Sequence, residues 1–425
     1  MARRTGGRSA RWLWAVTCAA VLGTAPAAWA QEQEPVTPRP ERLYFNPGSL
    51  LGSARVVSLG GAYVGIAEGA AGLQSNLSAL AHRSPGLEKD WDLGVTLSWL
   101  DLPFTRGGRS RDLDNDGRPD ESEDSRHLLG GLLLQYKRFG IGFSLRNSAV
   151  TYCATAECAG DAQRIRVSLT QSVLAGAVAF GQDDFILALG LYAAQASFQL
   201  SSGGDEVRYG DTGVEVDMLY RPYGRAWRLG VTVRPEVVAD WRSEPGQSPV
   251  LAGRTLFGAV VAPAVLSLGA SWRFGEGAER YNRLSPATRR QLLVEGDALP
   301  VPEEEPKDAP AGRWLLSAQV DLYSGVDNAL PLRSFASTGE EQRVGQASEF
   351  APRLGVEHDT VPGMIRLRAG IYGEPSPFDG RPARPHFTGG FEVFVLRYWE
   401  DWAITASFDL ASRYTNVGLS VGFWR

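Results

Sequence analysis

The amino-acid sequence predicts an all-β protein, namely a transmembrane antiparallel β-barrel of about 14 strands. Three observations predict this fold: an export signal at the amino terminus, ten-residue segments of alternating polarity along the chain, and aromatic residues near the ends of those segments. The 425 residues are 44% hydrophobic and 21% charged, with a net charge of −5. This composition excludes collagen, coiled coils and intrinsic disorder, and its acidic balance argues against nucleic-acid binding.

Residues 1–30 have the three-part pattern of a secretory signal peptide. A basic start is followed by an apolar stretch from Trp12 to Gly23 and by a small-residue ending, after which we expect cleavage near Ala30. A lipoprotein signal would require Cys18 to be acylated, and the residues before it fit that pattern poorly. The mature chain is therefore expected to be exported.

Alternating polarity recurs after residue 90. In residues 227–234 the odd positions are apolar and the even positions carry Arg, Gly or Thr, and residues 266–274, 314–322, 365–371 and 402–410 alternate in the same way. A barrel in lipid turns the apolar face outward and the polar face to the lumen, whereas a soluble β-sandwich does the inverse. About fifteen segments are found, and fourteen strands are predicted because bacterial single-chain barrels have even strand numbers. The segments begin near residues 91, 127, 139, 163, 184, 211, 225, 251, 264, 312, 350, 363, 386, 401 and 415.

Aromatic residues and the carboxyl terminus favour the membrane barrel over the sandwich. Tryptophans at predicted strand ends suit the two membrane interfaces; they are Trp91, Trp99, Trp272, Trp314, Trp399 and Trp402. The last alternating segment, residues 417–423, precedes Trp424, close to the terminal aromatic by which the barrel-assembly machinery recognises its clients. We therefore predict a location in the bacterial outer membrane, with outer-membrane lipid and that machinery as partners.

Residues 31–90 lack strand periodicity but are dense in small residues. The phrase Gly60-Gly61-Ala62-Tyr63, the stretch Ala67-Glu68-Gly69-Ala70 and the motif Asn76-Leu77-Ser78-Ala79-Leu80 follow one another. Together they resemble the amino-terminal signature of outer-membrane hydrophobic-compound transporters of the long-chain fatty acid (FadL/TodX) type, and of the related PorV-like barrels. In those relatives the last motif reads Asn-Pro-Ala-Gly-Leu, so proline and glycine are both replaced here.

The resemblance implies a barrel over residues 91–425 with residues 31–90 folded inside it as a hatch. The hatch residues that it marks are Gly60, Gly61, Tyr63, Asn76 and Leu80. It further implies passive transport of a hydrophobic small-molecule ligand, fatty-acid-like or aromatic, which in transporting relatives leaves sideways through a strand kink. Two alternatives are a PorV-like secretion or assembly partner that binds an exported protein, for which the long segments 112–123 and 276–311 are candidate surfaces, and a purely structural outer-membrane protein.

Residues 112–123 match the pattern of a twelve-residue calcium loop. Oxygen ligands fall at positions 1, 3, 5, 9 and 12, a backbone carbonyl falls at position 7, and Gly117 supplies the turn at position 6. We expect a structural Ca²⁺ ion that stiffens a surface loop; the alternative is a solvated acidic loop. The predicted ligands are Asp112, Asp114, Asp116, the carbonyl of Arg118, Asp120 and Glu123.

Cys153 and Cys158 remain after signal cleavage, in a polar, small-residue stretch. In an exported protein this spacing predicts a disulfide across a loop tip, with two free thiols as the alternative.

Six arginines fall on predicted lumen faces, where Glu215, Asp217, Asp321 and Asp409 are possible partners. They either form a path or a site for an acidic head group such as a carboxylate, or are paired charges that fill a closed barrel. The six are Arg146, Arg228, Arg234, Arg273, Arg366 and Arg368.

No enzymatic activity is predicted. The four histidines lie outside recognisable catalytic motifs, and the chain has no nucleophile elbow, phosphate loop or dinucleotide fingerprint. Passive transport of hydrophobic small molecules is the leading functional prediction.

Overall fold

Fourteen strands close into an antiparallel barrel. The computed structural model describes residues 41–45, 49, 52–84, 86–102, 112–118, 122–153, 164–204, 206–241, 249–251, 254–296, 313–332, 342–397 and 400–423. The barrel strands are β2 (Trp91–Leu100), β3 (Ser122–Tyr136), β4 (Phe139–Cys153), β5 (Arg164–Phe180), β6 (Phe185–Leu200), β7 (Glu206–Tyr220), β8 (Trp227–Arg234), β13 (Val265–Phe274), β14 (Trp314–Tyr323), β16 (Glu349–Val361), β17 (Ile365–Glu374), β18 (Arg384–Arg397), β19 (Asp401–Ala411) and β20 (Tyr414–Phe423).

Each barrel strand pairs with its neighbours in chain order, and the first strand closes the sheet on the last. Val95 of β2 lies opposite Phe423 of β20. A closed sheet has no unpaired edge, which is the condition for crossing hydrocarbon with strands. The predicted barrel and strand number are thus confirmed. The segment predicted near residue 251 is not a wall strand, because it forms short strands inside the barrel.

The two ends of the barrel differ. One end, here the turn rim, carries both Trp91 and Phe423 and the tight turns at residues 137–138 and 181–184. The opposite end, here the loop rim, carries the connections at 101–121, 154–163, 235–264 and 324–348. The long connection between Phe274 and Trp314 also lies at the turn rim, so long connections occur at both ends.

The outer wall is apolar. Large hydrophobic side chains point outward and stay exposed, among them Leu132, Leu174, Leu191, Leu268 and Phe391. Aromatic residues follow the turn rim, where Trp91, Tyr136, Phe180, Trp272 and Trp314 are all more than two-fifths exposed. Within the described residues, none of the helices is long and apolar enough to cross a membrane. Buried polar faces and exposed apolar faces identify a transmembrane barrel and exclude the soluble sandwich.

The lumen holds two layers. Helix α1 (Ala54–Ser58) and two 3-10 helices, Ala70–Gly72 and Leu77–Ala81, form the hatch, here residues 52–84. Nearer the loop rim lies an inner sheet in the order β15 (Ala329–Pro331), β1 (Arg42–Tyr44), β12 (Ala259–Ala262) and β9 (Val237–Asp240), beside a hairpin of β10 (Val250–Leu251) and β11 (Arg254–Thr255). Strand β1 corrects the expectation that residues 31–90 lack strands: three residues are too few to show a period of two.

Glycines let the hatch touch the wall backbone to backbone. A Cβ on Gly131 of β3 would lie 2.7 Å from the carbonyl oxygen of Ala70, and one on Gly65 of the hatch would lie 2.7 Å from Ala270. Further wall glycines whose added Cβ would come closer than 3 Å to the hatch include Gly140, Gly142, Gly190, Gly230, Gly269, Gly355, Gly370 and Gly390. The small-residue content of the hatch and of the facing strands therefore has one steric cause.

Candidate functional site

A buried ion network ties the hatch to the wall. Glu68 accepts from Arg55 at 3.0 Å and from Arg228 of β8 at 2.8 Å. Burial alone would raise the pKa of Glu68, but Arg228 and Arg55 hold it well below its ordinary value. Arg55 also lies 3.6 Å from Glu357 of β16, which accepts from Arg368 of β17 at 2.7 Å. The network holds the hatch against the barrel wall, and removal of one member would leave a buried charge unpaired.

The hatch residues marked by the sequence resemblance occupy distinct positions. Gly60 and Gly61 have positive φ values of 62° and 76°, which glycine adopts without strain. Tyr63 is fully buried, and its hydroxyl donates to the carbonyl oxygen of Glu68 at 2.9 Å. Asn76 caps the second 3-10 helix by accepting from the amide of Ser78 at 2.8 Å, and Leu80 is fully buried against β4. Capping by Asn76 forms the turn without the proline and glycine of the related motif.

A cavity of about 140 Å³ lies between the hatch and the inner sheet. The inner sheet side contributes Phe45 and Ala262, and the hatch contributes Val56 and Val64. The wall contributes most of the polar lining, namely Arg146, Gln171, Tyr192, Arg234, Gln319, Asp321, Tyr323 and Arg353. The apolar side chains of the lining come mainly from the hatch and the inner sheet, which also contribute Gln74 and Ser75, and the charged ones come from the wall.

Two of the six sequence-predicted arginines line this cavity. Arg146 of β4 faces it directly. Arg234 at the end of β8 also faces it, lies 2.7 Å from Glu215 of β7, and stacks over the Tyr192 ring at 4.6 Å. Arg353 of β16, which the sequence did not single out, donates to Asp321 at 2.5 Å on the opposite side. The lining thus contains three arginines and one aspartate.

The other four predicted arginines belong to the ion network below the cavity. Arg228 bonds Glu68, and Arg368 bonds Glu357. Arg273 lies 3.7 Å from Glu357, and Arg366 donates to Glu392 at 3.1 Å. These four are paired charges that fill the lumen, the second of the two interpretations that the sequence allows. The partners Arg55, Glu357 and Glu392 were missed, because no local pattern relates a hatch residue to a wall strand.

The wall is interrupted beside the cavity. Strand β8 ends at Arg234, and after Pro235 and Glu236 the chain turns inward as β9. Within the described residues, β7 pairs with β8 only over Val216–Tyr220, and the next bridge along β7 joins Tyr209 to Trp241. Proline cannot donate a ladder hydrogen bond, so it suits a point where a strand leaves its sheet. Asp211 of β7 is exposed at this gap although its register position faces the lumen.

The predicted calcium loop lies over β17 and β18 at the loop rim. Carboxylate oxygens of Asp112, Asp114 and Asp116 lie within 4.8 Å of one another. Asp112 accepts from the amide of Gly117 at 3.0 Å, and burial raises the pKa of this carboxyl. The donor set is the hard-oxygen type that Ca²⁺ prefers. Arg118 is described, whereas Asp120 and the Glu123 side chain lie outside the described residues.

A histidine between two carboxylates lies beneath this loop and was not predicted. His386 Nδ1 is 2.7 Å from Asp409, and Nε2 is 2.7 Å from Glu374. Glu374 also accepts from Arg384, whose guanidinium donates to the carbonyl oxygen of Asp112 at 2.7 Å. The cluster thus fastens the acidic loop to the barrel wall.

Three sequence predictions depend on residues outside the described ranges. Cys153 ends β4, but Cys158 lies outside the described residues, so the disulfide stays a prediction. The signal peptide, residues 1–30, and the terminal Trp424 also lie outside them.

No protein-family model matches this chain, and no curated protein matches it. Solved structures do. The monoaromatic hydrocarbon channel CymD is 12% identical, with 88% of this chain and 96% of that chain covered and a TM-score of 0.51. The Pseudomonas putida toluene transporter TodX is 13% identical, with 89% and 99% covered and a TM-score of 0.50.

At these identities the likeness concerns the fold. Both neighbours are channels or transporters, and neither is described as an enzyme. The resemblance drawn from residues 60–80 is confirmed at this level: the chain has the fold of the TodX and CymD hydrocarbon channels.

Proposed function

We propose that the chain is an outer-membrane barrel for passive transport of hydrophobic small molecules that carry an acidic head group. The observation that carries the proposal is the cavity between the hatch and the inner sheet, where the apolar side chains of Phe45, Val56 and Val64 face a wall that carries Arg146, Arg234 and Arg353. The names of the two structural neighbours, a toluene transporter and a monoaromatic hydrocarbon channel, support transport of apolar compounds. The arginines point to an added negative charge.

The volume of the cavity limits the size of the ligand. An apolar cavity of about 150 Å³ holds one benzene ring, so the 140 Å³ cavity admits one aromatic ring or a short chain. Phe45 and Val64 contact the apolar part in this arrangement, and Arg146 donates to the head group. Hydrogen bonds from a guanidinium to a carboxylate are charge-assisted and stronger than neutral ones.

The interruption at Pro235 supplies the route sideways that the sequence resemblance implies. The interruption begins at the level of Glu215 and Arg234, beside the cavity. At this level the outward side chains of β7 change from apolar Val216 to polar Thr212. A ligand that leaves there enters lipid without crossing the hatch. The ion network and the glycine contacts can then stay intact during transport.

The proposal is tested by titrating purified full-length protein with four probes: benzoate, toluene, benzylammonium and octanoate. We expect benzoate or octanoate to bind most tightly and benzylammonium not to bind. Arg146→Gln should weaken benzoate binding about ten- to a hundredfold, because a hydrogen bond to a charged group contributes about 1.5–3 kcal/mol, and should leave toluene binding unchanged. Arg225→Gln, at an exposed turn-rim position, is the matched control.

Uptake of benzoate into liposomes that contain the protein tests transport itself. Wild type should exceed both empty liposomes and Arg146→Gln. Absence of binding for all four probes would refute the proposed class of ligand. An exported protein that stays bound through purification would favour the secretion-partner alternative instead.

We also propose that residues 112–123 bind a structural Ca²⁺ ion. Calorimetric titration of the full chain with Ca²⁺ should show one site, and Asp114→Asn should abolish it. Asp211→Asn, a change of an exposed aspartate outside the loop, should leave it intact. Equal binding by both variants would place the ion elsewhere.

A further inference from the structure

Arg353 brings an unused hydrogen-bond donor to the lining of the cavity. Its Nε donates to Asp321 at 2.5 Å, and its side chain is only 9% exposed. Within the described residues, Nη1 of the same guanidinium has no hydrogen-bond partner. A buried donor without a partner is costly, and more so when the group is charged. A bound molecule that accepts a hydrogen bond from Nη1 would remove this cost.

The guanidinium of Arg353 is held from several sides. Asp321 accepts from Gln319 Nε2 at 2.7 Å, and Gln319 Oε1 accepts from two backbone amides of the hatch at 2.9 Å. The guanidinium lies over the ring of Tyr372, 5.4 Å from its centroid, and Tyr323 is a further neighbour. A donor that is already fixed loses little conformational entropy when a ligand binds to it. Arg353 is therefore positioned in advance.

Arg353 and Arg146 come from opposite sides of the barrel. Arg353 lies on β16 and Arg146 lies on β4, and β4 is the seventh strand from β16 in both directions around the fourteen-stranded wall. Both side chains nevertheless line the same cavity. A ligand that fills this cavity therefore has one end near Arg146 and the other end near Arg353.

The group that suits Arg353 is an uncharged oxygen. Asp321 lines the cavity and already balances the charge of Arg353, so a second negative charge on the ligand would lie near Asp321 and be repelled. A hydroxyl or carbonyl oxygen can accept from Nη1 without this repulsion. The two ends of the cavity thus favour two different groups, namely the proposed acidic head group at Arg146 and a neutral oxygen at Arg353.

We propose that the ligand is an aromatic acid with a hydroxyl or carbonyl oxygen on the ring position opposite its carboxylate, and that Nη1 of Arg353 donates to this oxygen. 4-Hydroxybenzoate is the simplest member of the class, and its phenol is uncharged at neutral pH. The inference rests on the proposed function, because it takes the contact of the head group with Arg146 as given. It adds a second polar contact and so narrows the class of ligand.

The test is calorimetric titration of purified full-length protein at pH 7 with 4-hydroxybenzoate, 4-methylbenzoate and 2-hydroxybenzoate. The methyl compound has a similar size but no acceptor, and the 2-hydroxy isomer carries its hydroxyl beside the carboxylate. We expect 4-hydroxybenzoate to bind about tenfold more tightly than either, because a hydrogen bond to a charged group contributes about that factor. Terephthalate, which has a second carboxylate, should bind more weakly than 4-hydroxybenzoate.

Arg353→Met combined with Asp321→Asn tests the residue itself. The double change removes the donor together with its counter-charge, so no buried charge is left unpaired. This variant should bind 4-hydroxybenzoate and 4-methylbenzoate equally. Arg146→Gln is the matched comparison, because it should weaken the binding of both compounds and preserve their tenfold ratio.

Equal binding of 4-hydroxybenzoate and 4-methylbenzoate by the wild type would overturn the inference. A tenfold preference that persists in the double variant would overturn it as well, and if that variant does not fold, the wild-type series of ligands decides. Benzoate separates the two failures. Wild type that binds benzoate without preferring 4-hydroxybenzoate retains the proposed function, whereas failure to bind any aromatic acid refutes both.

Discussion

Glu68 lies at the centre of the ion pairs that attach the hatch to the wall. It joins Arg55 of the hatch to Arg228 of the wall, and all three side chains are buried. Its replacement leaves two guanidinium groups without their shared carboxylate. Loss of one partner of a buried ion pair costs more than the intact pair contributes relative to an apolar core.

Glu68→Gln should therefore lower the free energy of unfolding by about 3–5 kcal/mol at neutral pH. Because the folded-state pKa of Glu68 is depressed, its contribution is complete above the ordinary value of 4.5 and is lost as the pH falls below it. Urea unfolding of the reconstituted protein, measured at several pH values, checks both statements. Glu206→Gln at the exposed pair with Arg208 should change stability by about 1 kcal/mol or less. A difference between wild type and Glu68→Gln that persists at low pH would contradict this account.

At the scale of elements, the close packing of the hatch against β3 requires a residue without a Cβ atom at Gly131. Adjacent glycines of this strand face opposite ways. Gly131 faces the hatch, where Ala70 lies 2.7 Å from an added Cβ, whereas Gly130 faces outward and its nearest atom would be 4.0 Å away.

Gly131→Ala should destabilise the protein by about 1–3 kcal/mol, because overpacking forces the hatch away from the wall. Gly130→Ala, its neighbour, should be neutral or slightly stabilising, since alanine restricts the unfolded chain. Unfolding of both variants under identical conditions gives the comparison. If the two changes alter the free energy of unfolding equally, the hatch is not tightly packed against Gly131.

Much of the barrel could be predicted from sequence because strand alternation is local: residues 227–234 reveal an apolar and a polar face without knowledge of any partner. The segment near residue 251 was misleading because β10 to β12 are also extended, although they pair inside the lumen. The cavity could not be predicted. Phe45, Arg146 and Arg353 are distant in sequence, and only closure of the barrel brings them together.

At the scale of the whole molecule, the lumen is filled at two levels. The hatch packs against the wall glycines, and the inner sheet packs beneath the loop rim in a core that includes Leu43, Tyr152, Phe198 and Tyr209. Strand β1 lies between β15 and β12 and pairs with both.

Wild-type protein in a planar bilayer should therefore show no stable ion conductance. Leu43→Asp places a charge in a fully buried position of β1 and should loosen the inner sheet, so brief conductance steps are expected. Leu43→Ile preserves the apolar volume and should remain closed. Large steady conductance of the wild type would show that the two layers do not seal the lumen.

The path of strand β1 constrains how the protein is made. Residues 42–44 lie near the loop rim, the hatch lies below them, and the wall begins only at Trp91 on the turn rim. The simplest order of folding therefore encloses this segment while the wall forms, before β2 meets β20. That seam joins residues more than 300 positions apart, and we expect such a contact between distant residues to form late. In this order of folding, the barrel wall closes around β1 and the hatch.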